Sequence, residues 1–146
     1  MKLFLALAAV ALLAGCDTFR DSEPEYQRVA GSLSMTESNP ATITVPELVR
    51  AGEDVPVTVY TTGSTCEKEG DTEFAFVNGV LEIQPFDLTR VLQENEDCGL
   101  LLQYFEHTII VRFSEPGPAT VRATGSTPGA SGTMQPQTYT LGIVVR

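Results

Sequence analysis

Over most of its length the chain alternates apolar and polar residues with a period of two. Ala41, Ile43 and Val45 are interleaved with Thr42 and Thr44, and Val55, Val57 and Val59 with Pro56, Thr58 and Tyr60. Side chains on a strand point alternately to its two faces, so each run predicts a strand with one buried and one wet face. Pro46 and the stretch Ala51-Gly52-Glu53-Asp54 supply turn chemistry between them. Pro56 has no N–H to donate to a ladder, which requires its strand to begin beyond it or to lie at an edge there.

The segment Glu73 to Pro85 predicts a hairpin. Asn78-Gly79 stands between Phe76-Val77 and Val80-Leu81, and a two-residue Asn-Gly loop selects a type I′ turn because both residues tolerate positive φ. Pairing Val77 with Val80 sets Phe76 opposite Leu81 and Phe74 opposite Ile83, which places all four large apolar residues on one face.

Farther along, His107, Ile109, Val111 and Phe113 alternate with polar or outward neighbours, and Ala119, Val121 and Ala123 do the same after the turn Ser114-Glu115-Pro116-Gly117. These two strands read as neighbours across a tight connection. Gly125 to Pro136, rich in Gly and Pro, reads as a loop, and Tyr139, Leu141, Ile143 and Val145 as a closing strand. About seven strands with turn signals every eight to twelve residues predict an all-β, antiparallel two-sheet sandwich. Phe113 to Arg122 resembles the strand, Pro-Gly turn, strand corner of bacterial Ig-like domains, and the resemblance implies an Ig-like β-sandwich. The chain has no Trp to pack on a disulfide and its cysteines are not placed on core strands, which separates it from antibody-type domains. Thr65 to Glu73 is loosely similar to uncharacterised secreted bacterial proteins, a likeness that carries no activity.

Leu88 to Phe105 fits this pattern least. Leu88, Val91 and Leu92 share one helical face, and Leu100-Leu101-Leu102 with Tyr104-Phe105 form an apolar run. Folding over an open end of the core is the expectation, with an exposed partner-binding patch as the alternative. Upstream, residues 17–39 mix acids, Ser and Pro with few large apolar groups and read as a flexible tether. Within it Val29, Leu33 and Met35 allow a short edge strand.

At the N-terminus, Lys2 precedes twelve consecutive apolar residues, Leu3 to Ala14, followed by Gly15 and Cys16. Twelve helical residues cover roughly 18 Å, too little for about 30 Å of hydrocarbon, so the run has the form of a signal peptide rather than a span. Leu13-Ala14-Gly15-Cys16 resembles the lipobox of bacterial lipoproteins. The resemblance implies cleavage before Cys16, a diacylglycerol thioether on its sulfur and often acylation of the new amino group. A thiolate is the nucleophile that thioether formation needs, and two or three acyl chains anchor stably where one binds reversibly. The competing reading is an ordinary secretory signal that leaves Cys16 a free thiol. The domain organisation expected is residues 1–15 as signal peptide, 16–39 as lipidated Cys and tether, and 40–146 as the sandwich. It places the protein in a bacterial cell envelope, membrane-anchored through Cys16. Asp17 resembles the inner-membrane retention signal of enteric lipoproteins, a rule that does not extend to all bacteria, and inner and outer membrane both stay open.

Net charge is −10, with 19 acids against 9 Lys plus Arg and one His in 146 residues. That excludes an electrostatic grip on nucleic acid. Cleavage after Gly15 removes Lys2 and no acid, which leaves the remainder more negative still. With Cys16 assigned to lipid, Cys66 and Cys98 remain as a pair in an exported chain and predict a disulfide tying loops at one end. Closing a loop of about 33 residues limits the unfolded ensemble by about 3.5 kcal/mol on the chain-entropy account. A two-Cys metal site would lack ligands, since zinc takes four and the chain holds one His.

His107, the only candidate base, shares the parity of Ile109 and reads as a packed core-edge histidine. No G-x-S-x-G, P-loop or H-E-x-x-H pattern occurs. The expectation is a non-enzymatic module without a cofactor. Two acidic loops, Glu67, Glu69, Asp71 and Glu73 near Cys66 and Glu94, Glu96 and Asp97 near Cys98, come together if the cysteines bond. They form a solvated acidic rim that can meet a basic partner or, as the alternative function, a Ca²⁺ site, although the spacing lacks the D-x-[DN]-x-[DN]-G loop.

Overall fold

The computed structural model describes residues 23–33 and 42–146. Among the described residues eight strands follow one another: β1 Tyr26–Ala30, β2 Ile43–Thr44, β3 Asp54–Gly63, β4 Glu67–Val77, β5 Val80–Arg90, β6 Gln103–Arg112, β7 Gly117–Pro128 and β8 Met134–Val145. They form a β-sandwich. One sheet runs β4-β5-β7-β8, with β1 beside the second half of β5, and the other runs β2-β3-β6. Between them lie Leu33, Val49, Val55, Val57, Val59, Leu81, Ile83, Ile109, Val111, Phe113, Val121, Ala123 and Val145.

The β4–β5 hairpin has the register its sequence dictates, with Val77 opposite Val80, Phe76 opposite Leu81 and Phe74 opposite Ile83. Asn78 and Gly79 take φ of 50° and 81°, as a type I′ turn requires. Leu81 and Ile83 are buried, while Phe74 and Phe76 stay half-exposed because β4 is the edge of its sheet. Phe76 instead meets Phe113 edge-on, with ring centroids 5.6 Å apart.

Pro56 lies inside β3, the central strand of the smaller sheet. The N–H groups of Tyr60 and Thr62 point away from β6, to the carbonyls of Thr42 and Ser32. Pro56 shares their parity, so its nitrogen faces the same side at a level that β2, paired only with Thr58 and Val59, does not reach. The strand is thus an edge at the one point where it cannot donate.

The structure departs from the sequence expectations in several places. The sandwich is mixed, because β5 and β7 pair in parallel over Val80–Ile83 and Thr120–Ala123, and the described residues form eight strands. β6 and β7 are not sheet neighbours. β6 pairs with β3 and β7 with β8 and β5, so the turn at 113–116 crosses from one sheet to the other and their apolar faces meet through the core. Two apolar stripes in sequence are satisfied equally well side by side or face to face, and periodicity does not distinguish them.

The folded part also begins earlier than the tether boundary at residue 39. β1 pairs with β5 from Tyr26↔Arg90 to Ala30↔Phe86, and Leu33 is fully buried. The short edge strand allowed at Val29, Leu33 and Met35 lies earlier, at Tyr26–Ala30, because β1 is held by its backbone and by Arg28 while most of its side chains remain wet. Met35 and residues 17–22 lie outside the described residues. The loop expected from Gly125 to Pro136 shrinks to 129–133. Gly125 is in β7 for a different reason from turning: a Cβ there would stand 2.4 Å from the Gly31 carbonyl oxygen. Leu88 to Phe105 contains no helix. Leu88 to Arg90 end β5, Gln103 opens β6, and the leucines between are exposed rather than folded over the core.

Candidate functional site

Strand direction gathers the chemistry-bearing residues at one end. β3 ends and β4 starts there, β5 ends and β6 starts there, and β1 enters there. Cys66, in the β3–β4 turn, is joined to Cys98 in the segment before β6 with Cα atoms 5.4 Å apart. The bridge ties loops at one end, as its position in the sequence implies. Around it the Gly99 N–H donates to the Thr65 hydroxyl at 2.8 Å, the Arg90 N–H to the Cys66 carbonyl at 2.8 Å, and the Val91 N–H to the Glu25 carbonyl at 2.8 Å. The lipidation candidate, Cys16, lies outside the described residues.

The seven acids do not assemble into one cation site. Glu67 accepts from the Ser64 N–H, and Glu96 accepts from Arg90 and from the Gln93 N–H. Asp71 and Glu73 sit lower on β4, on the outer face, where both accept from Arg28 at 2.6–2.7 Å. The Arg28 guanidinium lies 3.3 Å from the Phe86 ring centroid, bridging β1 to β4 across β5. Its hydrogen bond holds the Asp71 carboxyl below the ordinary aspartate range, and Asp71 in turn raises Arg28. Among the described residues no group of three or more His, Cys, Asp or Glu could hold a metal ion. Glu94 and Asp97 remain outward and exposed.

Just beneath the bridge, on the inner side, lies a buried polar cluster. His107 is 1% and Asp87 3% exposed. The imidazole Nε2 is 3.0 Å from Asp87 Oδ1 and 3.1 Å from Thr61 Oγ1, and Nδ1 is 3.0 Å from Thr72 Oγ1. A carboxylate only accepts, so Nε2 carries the hydrogen that points at Asp87, and Nδ1 accepts from the Thr72 hydroxyl when the ring is neutral. Thr61 and His107 come from β3 and β6, and Thr72 and Asp87 from β4 and β5. The cluster joins both sheets where the aliphatic core stops.

The sequence placed His107 on the inner face but did not identify its partners. A signal existed: extending the hairpin register along β5 puts Asp87 on the parity of Leu81 and Ile83, and Thr61 continues Val55, Val57 and Val59. A buried carboxylate at the end of an apolar stripe needs a donor, and the lone inward histidine is one.

A groove on the outer face of the larger sheet, lined by Glu73, Ala75, Glu82, Gln84 and Thr124, is open. Its acids are engaged by Arg28 and Arg122. Among the described residues no helix is long and apolar enough to cross a membrane. No protein-family model, curated protein or solved structure matches the chain.

Proposed function

We propose that this is a lipid-anchored, non-enzymatic module of a bacterial cell envelope, an Ig-like domain that works by contact rather than by turnover. The Cys66–Cys98 disulfide carries the reading. It suits an exported, oxidised chain, and by occupying two of the three cysteines it leaves Cys16, at the end of the Leu13-Ala14-Gly15-Cys16 box, for acylation.

The interior supports a contact role. The one histidine is enclosed between the sheets and engaged at both nitrogens, the geometry of a polar tie and not of a base presented to substrate. The cation-binding alternative loses support because Asp71, Glu73 and Glu96 are paired with arginines. The test is mass spectrometry of the protein from bacterial membranes. A diacylglyceryl mass on a chain beginning at Cys16, lost with cleavage in Cys16→Ser, is expected. A mature chain with an unmodified Cys16 thiol overturns the proposal.

A further inference from the structure

We infer that the disulfide-stapled end of the domain is seated on the lipid bilayer, with the Leu100-Leu101-Leu102 loop entering the zone between headgroups and acyl chains; this rests on the lipid-anchor reading of Cys16. The first support is where the chain enters. The Glu25 carbonyl is bonded to the Val91 N–H, so the polypeptide joins the sandwich beside the first residue of the segment that carries these leucines. Only seven steps separate Glu23 from Cys16, and fully extended they span at most about 25 Å. An acylated Cys16 therefore keeps this end near the bilayer, whereas the hairpin end lies about 35 Å away along strands of this length.

The second support is the loop itself. Leu100 is fully exposed, Leu101 68% and Leu102 50%, and Val91 and Leu92 on the same segment are exposed as well. Adjacent large apolar residues in water mark a surface that something apolar covers. The loop is also held in place, Cys98 by its bridge to Cys66 and Gly99 by Thr65, so the leucines are presented by a fixed base.

Charge selects the lipid. Glu94 and Asp97 are exposed on the segment that carries the leucines, and Glu23 and Glu25 line a cleft with Val91 at its start; their repulsion from phosphatidylserine-type or phosphatidylglycerol-type headgroups leaves a zwitterionic interface as the occupant.

The chain contains no Trp, so Leu101→Trp supplies a single fluorescent reporter. Val144→Trp, at an exposed position on the opposite end, supplies the control. The full chain from bacterial membranes is reconstituted in phosphatidylethanolamine–phosphatidylcholine vesicles. If mass spectrometry finds no acyl group on Cys16, that result ends the lipid-anchor reading, and the chain is then attached by coupling its Cys16 thiol to a maleimide phospholipid, so the loop is tested in either case. Expected are emission shifted to shorter wavelength for Trp at position 101 and quenching by brominated acyl chains several-fold stronger than at position 144. Anionic lipid should lessen that quenching. Water-like emission at 101, equal quenching at both positions, or a shift that arises only when another envelope protein is added would each overturn the inference, the last by giving the loop to a protein.

Discussion

Along β3 the inward positions read Val55, Val57, Val59 and then Thr61; along β5, Leu81, Ile83, Pro85 and then Asp87; along β6, taken from its far end, Val111, Ile109 and then His107. Three strands thus change from apolar to polar around the same imidazole. Toward the hairpin end the sheets are held by burial, roughly 1.5–3 kcal/mol for each enclosed aliphatic side chain, with no required geometry. Toward the other end they are held by directional bonds that contribute about 1 kcal/mol each when all are made and cost more when one partner is lost. The disulfide closes the end where aliphatic burial gives out. The bridge and the polar cluster compensate for an aliphatic core that does not run the full length of the strands.

The largest effect should come from splitting the polar half. His107→Ala leaves the buried Asp87 carboxylate without its imidazole donor and should cost about 4 kcal/mol, read from urea unfolding. The double variant with Asp87→Ala should be far from additive; additive losses would show that the pair is not coupled. Next, Leu81→Ala in the aliphatic half should cost about 3.5 kcal/mol through lost transfer energy and the cavity left behind. The loss should be the same in oxidised and reduced protein if the two halves are independent, and a loss that depends on the bridge would join them.

Reduction of Cys66–Cys98 should cost about 3 kcal/mol. Hydrogen exchange should then quicken first at Arg90, Val91 and Gly99 while Val80 to Ile83 keep their protection, and uniform loss would contradict the division. The smallest effect is electrostatic. Asp71 is held below the ordinary aspartate value near 3.8 by Arg28, so the pair's contribution is present above that pH and fades as pH falls through the lowered folded value. Both groups are exposed and screened, and Arg28→Met should flatten only this acid limb of the stability profile. An unchanged limb would show that the clamp is energetically silent.

The hairpin was legible to the residue because a two-residue turn and a two-residue repeat constrain each other: Asn78-Gly79 allows one pairing, and that pairing puts Leu81 and Ile83 inside. Cysteine number and spacing were enough for the bridge, and parity for the inward histidine. Legibility failed where a residue's role depends on a distant neighbour. Gly125 read as loop because the Gly31 carbonyl it must admit is 94 positions away. Of residues 26–30 only Val29 was read into a strand, because β1 is held by backbone bonds, which leave no mark on composition. The leucines at 100–102 read as core cover because hydrophobicity specifies a wish to be covered and not the covering surface.

Local periodicity, turn residues and cysteine arithmetic, all properties of short range along the chain, determined by themselves that this protein is an all-β sandwich with one hairpin in a known register and one bridged pair of loops. Which strand lies beside which came from the assembled fold: β6 and β7 face each other across the core, β5 and β7 run parallel, and Thr61, Thr72, Asp87 and His107 converge. The reason is physical. An alternating strand has one inner face and two equivalent edges, and the choice of neighbour at each edge is made by the summed fit of the whole core, to which no single segment holds the answer.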